Sequence, residues 1–291
     1  MDLHGELVGF PASDGLGLEG LLHEAPGRAA LVFVHGMTDV GWSPPGPTVF
    51  ELAKAAGVAA LLVTTRGAGI VTEFGYPDEP DRETIAAGTA FERFEDCLLD
   101  LDGAVDLLAS RGYDRLVLVG HSTGCQKVVY DQLETARPEV AALVLLAPVD
   151  DRAMWRRSLG ASFGAVLADA RDRGDAEVLD LDGPTGYLSP RRFVELVEPG
   201  SVEGDLFDYA GDLDHLRDVA VPVLTVFGHG EAFVARPIDE LLARIADSYA
   251  DPRSRTAAVP GDHAFRGGEA ELAAAVTRFL GDLDLLPGDA A

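Results

Sequence analysis

The chain has 291 residues, of which 47% are hydrophobic and 25% charged. That composition fits a folded chain with a large core and excludes disordered or collagen-like classes. The formal net charge of −26 makes a field that repels nucleic acid and anionic membranes, so neither is expected as a partner.

Only Lys54 and Lys127 are lysines; the other basic side chains are arginines. A high-salt cytoplasm and a GC-rich genome would both produce this acidic, arginine-biased balance, and neither bears on chemistry. The longest apolar stretch, residues 140–149, is too short to span a bilayer. Residues 1–6 show no basic or apolar signal segment, so a cytoplasmic location with Cys97 and Cys125 as reduced thiols is expected.

Read along the chain, residues 7–11 and 16–22 predict an antiparallel hairpin turned at Ser13, Asp14 and Gly15. Residues 30–34 read as a buried strand, 49–56 as a helix and 59–64 as another strand. A long loop rich in Gly, Pro and acidic residues follows over 65–90. Apolar spacing at Phe94, Leu98, Leu101, Val105 and Leu108 predicts one helix over 91–110. Strands are expected at 116–119, 142–146, 223–227 and 256–259, and helices near 238–248 and 269–280. Short apolar strands alternating with helices specify an α/β protein with a mostly parallel, doubly wound sheet. Residues 150–215 break the alternation. They are expected to form a small cap or lid inserted into a core made of 1–149 and 216–291.

The feature that carries chemistry is the run Gly120-His121-Ser122-Thr123-Gly124, a G-x-S-x-G at the end of an apolar strand and before a helical pattern. In a nucleophile elbow the serine sits on a strained strand-to-helix turn. Side chains at the flanking positions would clash there, so glycines are required. The competing reading is an ordinary corner with a capping serine. As nucleophile, Ser122 needs a base, and His263, after the last predicted strand, lies beyond every plausible acid in the order Ser, acid, His. His121 is expected to turn away and pack under the elbow. The acid is expected at Glu231, just after the 223–227 strand, with Asp150 and Asp151 as alternatives after the preceding strand. Backbone N–H groups of Thr123 and of Met37, which follows His35-Gly36, are the expected oxyanion donors.

Over essentially its whole length the chain resembles the α/β-hydrolase superfamily, on His35-Gly36, Gly120-His121-Ser122-Thr123-Gly124 and Gly261-Asp262-His263 in family order. The string Gly120 to Gln126, followed by Leu145-Leu146-Ala147-Pro148-Val149-Asp150-Asp151-Arg152, is similar to the fungal siderophore esterases of the fusarinine-C type. That resemblance implies a Ser–Asp–His triad on Ser122, the Glu231 slot and His263, with Glu in place of Asp. It also implies that Asp150-Asp151-Arg152 is a structural turn.

The expected function is hydrolysis of small to medium carboxylic esters through an acyl-enzyme, without a cofactor. No Cys pair, H-E-x-x-H or G-x-x-x-x-G-K pattern is present to suggest a metal or nucleotide. A thioesterase, amidase, acyltransferase or C–C bond hydrolase would use the same residues, and a binding protein on the same scaffold would keep the pocket without turnover. Gly36, Trp42, Trp155 and Phe163 are expected around the substrate pocket, with cap apolar residues as its roof. The acidic surface predicts a preference for neutral or cationic esters. Oligomeric state is not legible.

Overall fold

The structure, a computed structural model, describes residues 3–174, 177–181, 183 and 185–287. Its centre is an eight-stranded sheet: β1 (Glu6–Pro11), β2 (Gly17–His23), β3 (Ala29–Val34), β4 (Ala59–Thr64), β5 (Arg115–His121), β6 (Val140–Leu146), β7 (Val223–Gly228) and β8 (Arg255–Val259). The spatial order is β1-β2-β4-β3-β5-β6-β7-β8. Only β1–β2 and β2–β4 are antiparallel; the pairings from β4 to β8 are parallel. The α/β-hydrolase architecture read from the sequence is therefore present, a mostly parallel sheet flanked by helices.

The parallel strands are almost continuous Val, Leu, Ala and Phe because both faces are covered. Leu31 to Val34, Leu61 to Val63 and Leu143 to Leu146 are all within 1% of complete burial. Helix α1 (Gly46–Ala56) packs on β4 and on α9 (Glu269–Asp282), while α2 (Cys97–Ser110) packs on α3 (Thr123–Thr135). Helix α8 (Ile238–Ser248) lies against β8.

Two expectations are corrected. The helix predicted over 91–110 begins at Cys97, after a single 3-10 turn at Phe94–Asp96. Gly88 adopts a left-handed φ of 82° and Glu92 is drawn into a buried ion network, so this stretch is committed to tertiary contacts and not to a helical turn. The loop over 65–90 carries a small hairpin, Thr72–Phe74 with Ile85–Ala87.

Between β6 and β7 lie α4 (Asp151–Leu159), α5 (Phe163–Asp172), the hairpin Leu179–Asp180 with Tyr187–Leu188, α6 (Pro190–Val197) and α7 (Val202–Leu206). This segment packs in two parts. Residues from Val149 to Val197, centred on Trp155, Leu188 and Phe193, form a second hydrophobic cluster, with Met37 and Phe233 against it. Leu206, Phe207, Tyr209, Leu213 and Leu216 join the main core instead.

A buried ionic chain links the parts. Lys127 Nζ on α3 lies 2.6 Å from Glu92 Oε2, and Arg192 Nη2 on α6 donates to Glu92 Oε1 at 3.0 Å and to Glu203 Oε1 at 2.9 Å. Arg192 Nη1 also pairs with Glu203 Oε2. Charges this far from water persist only when paired and hydrogen-bonded.

Candidate active site

Strand β5 ends at His121, and α3 begins at Thr123. Ser122 between them has φ 54° and ψ −124°, a conformation that costs an L-residue energy and survives where packing over-determines it. A Cβ on Gly124 would lie 2.2 Å from the Val34 carbonyl oxygen, and one on Gly120 would lie 2.4 Å from that of Gly124. Only glycine lets strand, turn and helix approach this closely. Ser122 N–H donates to Leu146 O at 2.9 Å, which ties the turn to the next strand.

The loop after β7 and the loop after β8 are laced together. His229 N–H donates to Val259 O and Gly230 N–H to Gly261 O, both at 2.8 Å. Asp262 Oδ1 accepts the N–H groups of Ala264 and Arg266 at 3.0 Å each, building the turn that displays His263. His263 Nδ1 lies 2.7 Å from Glu231 Oε2, and the second oxygen, Oε1, accepts the Phe233 N–H at 2.7 Å. The Glu231 side chain is fully buried. With both oxygens engaged it has one orientation, and the extra methylene relative to Asp is absorbed by the loop.

His121 is corrected. It does not turn away from the site: its ring lies tilted against that of His263, with ring centres 4.8 Å apart, and its Nε2 donates to the His263 carbonyl at 2.9 Å. Burial, followed by the nearby His263, pushes its pKa down to about 3. The neutral ring therefore carries its proton on Nε2, leaving a Nδ1 lone pair. Phe233 closes the other side of His263 edge-on, with ring centres 4.6 Å apart.

His35, after β3, is a structural anchor. Its Nε2 accepts the Thr65 N–H at 3.1 Å, so its Nδ1 carries the proton and donates to Gly36 O at 2.8 Å. Burial pushes its pKa to about 4. The loop it anchors brings Gly36 so near the elbow that a Cβ there would meet Ser122 Cβ at 2.8 Å. Thr38 N–H donates to Thr89 Oγ1 at 2.7 Å, whereas the Met37 N–H has no partner among the described residues. Thr123 N–H, in the first helical turn, has no carbonyl to bond within its own helix.

A cavity of about 140 Å³ lies over these groups, lined by Met37, Thr38, Asp39, His121, Ser122, Thr123, Val149, Asp151, Met154, Thr185, Phe233 and His263. Of the expected pocket residues, Gly36 stands beside Ser122, but Trp42, Trp155 and Phe163 are not in this wall. Trp42 is exposed, and Trp155 is completely buried against Phe193 inside the second cluster. Phe163 packs on that cluster from outside. Met154, one residue before Trp155, reaches the cavity from α4, as does Asp151 at the start of that helix. Thr38, Asp39, Val149, Thr185 and Phe233 were not singled out by sequence. Thr38 and Asp39 follow Met37, Val149 precedes Asp150 and Phe233 stands two residues beyond Glu231, whereas Thr185 lay near no recognisable signal.

The alternative acids are engaged elsewhere. Asp150 caps α4 through the Ala153 N–H at 2.8 Å and accepts the Tyr209 N–H at 3.1 Å. Asp151 Oδ2 accepts from Gln126 Nε2 at 2.7 Å. Among the described residues no three His, Cys, Asp or Glu side chains converge in a metal-binding arrangement, and no helix is long and apolar enough to cross a membrane.

The fold has many solved counterparts. Est1E from Butyrivibrio proteoclasticus, in a structure with ferulic acid bound, superposes with a TM-score of 0.67 at 20% identity, covering 94% of this chain and 98% of that one. The Pyrococcus furiosus esterase Pf2001 gives a TM-score of 0.62 at 15% identity over 96% and 91% of the two chains. The carboxylesterase CesB from Bacillus subtilis gives 0.57 at 18% identity over 96% and 92%. A search of curated proteins finds no match. The family profile described as the alpha/beta hydrolase family matches residues 31–275, and the chain belongs to that family.

Proposed function

We propose that the protein is a cofactor-independent serine hydrolase that cleaves small to medium carboxylic esters through an acyl-enzyme. The observation that carries this reading is the carboxylate-to-imidazole contact of 2.7 Å between Glu231 and His263, at a cavity that Ser122 also lines. Glu231 accepts the Nδ1–H and leaves Nε2 as the basic nitrogen. His263 takes the Ser122 proton as Oγ bonds to the ester carbonyl carbon. The oxyanion forms beside the Met37 and Thr123 N–H groups. His263 then protonates the departing alkoxide, and water repeats the sequence to release the acid and free Ser122.

The esterase neighbours support an ester as the bond, and the Gly120 to Gln126 string favours the fusarinine-C-type branch. In this reading the elements from α4 to α6 cap the site and the protein works in the cytoplasm on small molecules. Ser122→Ala is expected to lower kcat on activated short-chain esters at least ~10³-fold while the melting temperature stays within a few degrees. Fluorophosphonate labelling of wild type but not of Ser122→Ala supports the nucleophile. Turnover by Ser122→Ala at the wild-type rate would overturn the reading.

A further inference from the structure

The cavity over Ser122 contains polar atoms that the protein leaves unpaired. Thr185 Oγ1 and His121 Nδ1 are buried and have no hydrogen-bond partner among the described residues. Asp151 is 2% exposed; Gln126 holds its Oδ2, while Oδ1 has no partner among the described residues. All three side chains line the cavity. Buried polar atoms are almost always satisfied, and two exceptions next to a half-engaged carboxyl, around one cavity beside a nucleophile, indicate a polar ligand that satisfies them.

Charge points the same way. Beneath Asp151 the paired groups are Glu92, Glu203, Lys127 and Arg192, two acids and two cations. Asp151 is the odd carboxyl of this buried set, and no Arg or Lys lines the cavity to answer it or Asp39. Burial and then the neighbouring Glu203 raise the Asp151 pKa well above the usual carboxyl range. A carboxyl so placed gains from a donor on the cavity side, and the cavity wall offers a substrate carboxylate no cation. At about 140 Å³ the cavity has room for roughly five non-hydrogen atoms.

We propose that Asp151 and Thr185 form a specificity subsite that binds a hydrogen-bond-donating group of the substrate, a hydroxyl or a protonated amine, within a few bonds of the scissile carbonyl. The proposal rests on the ester-hydrolase reading above and assigns it a substrate class, short polar esters in place of plain aliphatic ones. The expectation of a mostly apolar pocket gives way to a mixed wall, in which Met37, Val149, Met154 and Phe233 line the cavity together with these polar groups.

The test is a pH-stat comparison of methyl butyrate, methyl 3-hydroxybutyrate, methyl 4-aminobutyrate and monomethyl succinate. 2-Hydroxyethyl acetate and 2-(dimethylamino)ethyl acetate place the same donors on the alcohol side, against butyl acetate. In wild type, kcat/KM for a hydroxyl or ammonium ester should exceed that for its plain counterpart at least about tenfold, with succinate poorest. Ratios taken within each variant cancel any common loss of folded enzyme. Thr185→Val and Asp151→Leu should bring the ratio to within about threefold of one. Asp151→Asn separates the two donors: a hydroxyl preference survives it, an ammonium preference does not.

Equal rates for donor and plain esters in wild type, or a preference that survives both Thr185→Val and Asp151→Leu, would overturn the proposal. Should no ester turn over, the ester reading fails by itself, and the subsite is read by calorimetry on Ser122→Ala. 3-Hydroxybutyramide binding more tightly than butyramide supports the subsite; equal binding overturns it.

Discussion

Replacing Glu231 by Gln removes one charge and no volume, and the surrounding hydrogen bonds determine the outcome. Oε1 accepts the Phe233 N–H at 2.7 Å, so the amide oxygen of Gln must occupy that place. The NH₂ group then faces His263 Nδ1, where the carboxylate accepted a proton. Two N–H donors cannot face each other, so the imidazole shifts its proton to Nε2 and presents a donor to Ser122. A base in that tautomer cannot take the serine proton, and the loss for such a tautomer trap is about 10⁴-fold. The escape is to flip the amide and set NH₂ against the Phe233 N–H, which leaves a buried donor unpaired at a cost of about 1–3 kcal/mol. A cost of about 1–3 kcal/mol is about 5- to 150-fold, so the expected fall in kcat/KM on a short activated ester lies between about 5-fold and 10⁴-fold. It should come with a nearly unchanged melting temperature and far-UV circular dichroism. Asp150→Asn is the matched control, since that carboxylate caps α4 and holds the Tyr209 N–H. It should cost about 0.5–2 kcal/mol of stability and far less rate. A folded Glu231→Gln enzyme within fivefold of wild type would refute the acid assignment, and the reverse ranking would move it to Asp150.

Trp155→Ala should destabilise the fold by about 3–5 kcal/mol, read as a lowered denaturation midpoint, because the ring is completely buried against Phe193 and lines no part of the cavity. Its effect on acyl-length preference should be small. Gly36→Val places a branched side chain where even a Cβ comes within 2.8 Å of Ser122, so turnover and fluorophosphonate labelling should fall together at least ~10²-fold while the sheet stays folded. The rings of His35 and His121, with pKa values near 4 and 3, should show no titration by NMR between pH 5 and 8. Because both folded values lie below the unfolded 6.5, their contribution to stability is complete above pH 6.5. It is lost at about 1.4 kcal/mol per pH unit for each ring as pH falls toward those values.

The parts legible in the sequence are those set by local pattern. Continuous apolar runs gave away the parallel strands because a strand covered on both faces has no polar register to show. The elbow was legible because its glycines answer to steric demands within five residues. The order Ser122, Glu231, His263 was legible because the loops after successive parallel strands emerge on one edge of the sheet. Side-chain direction inside the 150–215 segment was not. Trp155 and Met154 are adjacent on one helix and both belong to the second cluster, and tertiary packing alone decides that only Met154 also meets the cavity. The helix start was misread for the same reason, since Glu92 answers to Lys127 and Arg192 across the fold and not to its neighbours in sequence.

That ionic chain also limits how the molecule can be re-engineered. Lys127 lies on α3 and Glu92 shortly before α2, Arg192 on α6 and Glu203 on α7, and each is nearly dry. Grafting α6 and α7 onto another scaffold would carry the Arg192–Glu203 pair away from Glu92, whose 3.0 Å contact joins it to Lys127, and a buried ionic chain so broken costs about 3–5 kcal/mol. Helices α6 and α7 are thus not a portable module. A workable chimera must take Glu92 and Lys127 with it, and recombination between homologues should be tolerated only at crossovers that keep all four residues from one parent.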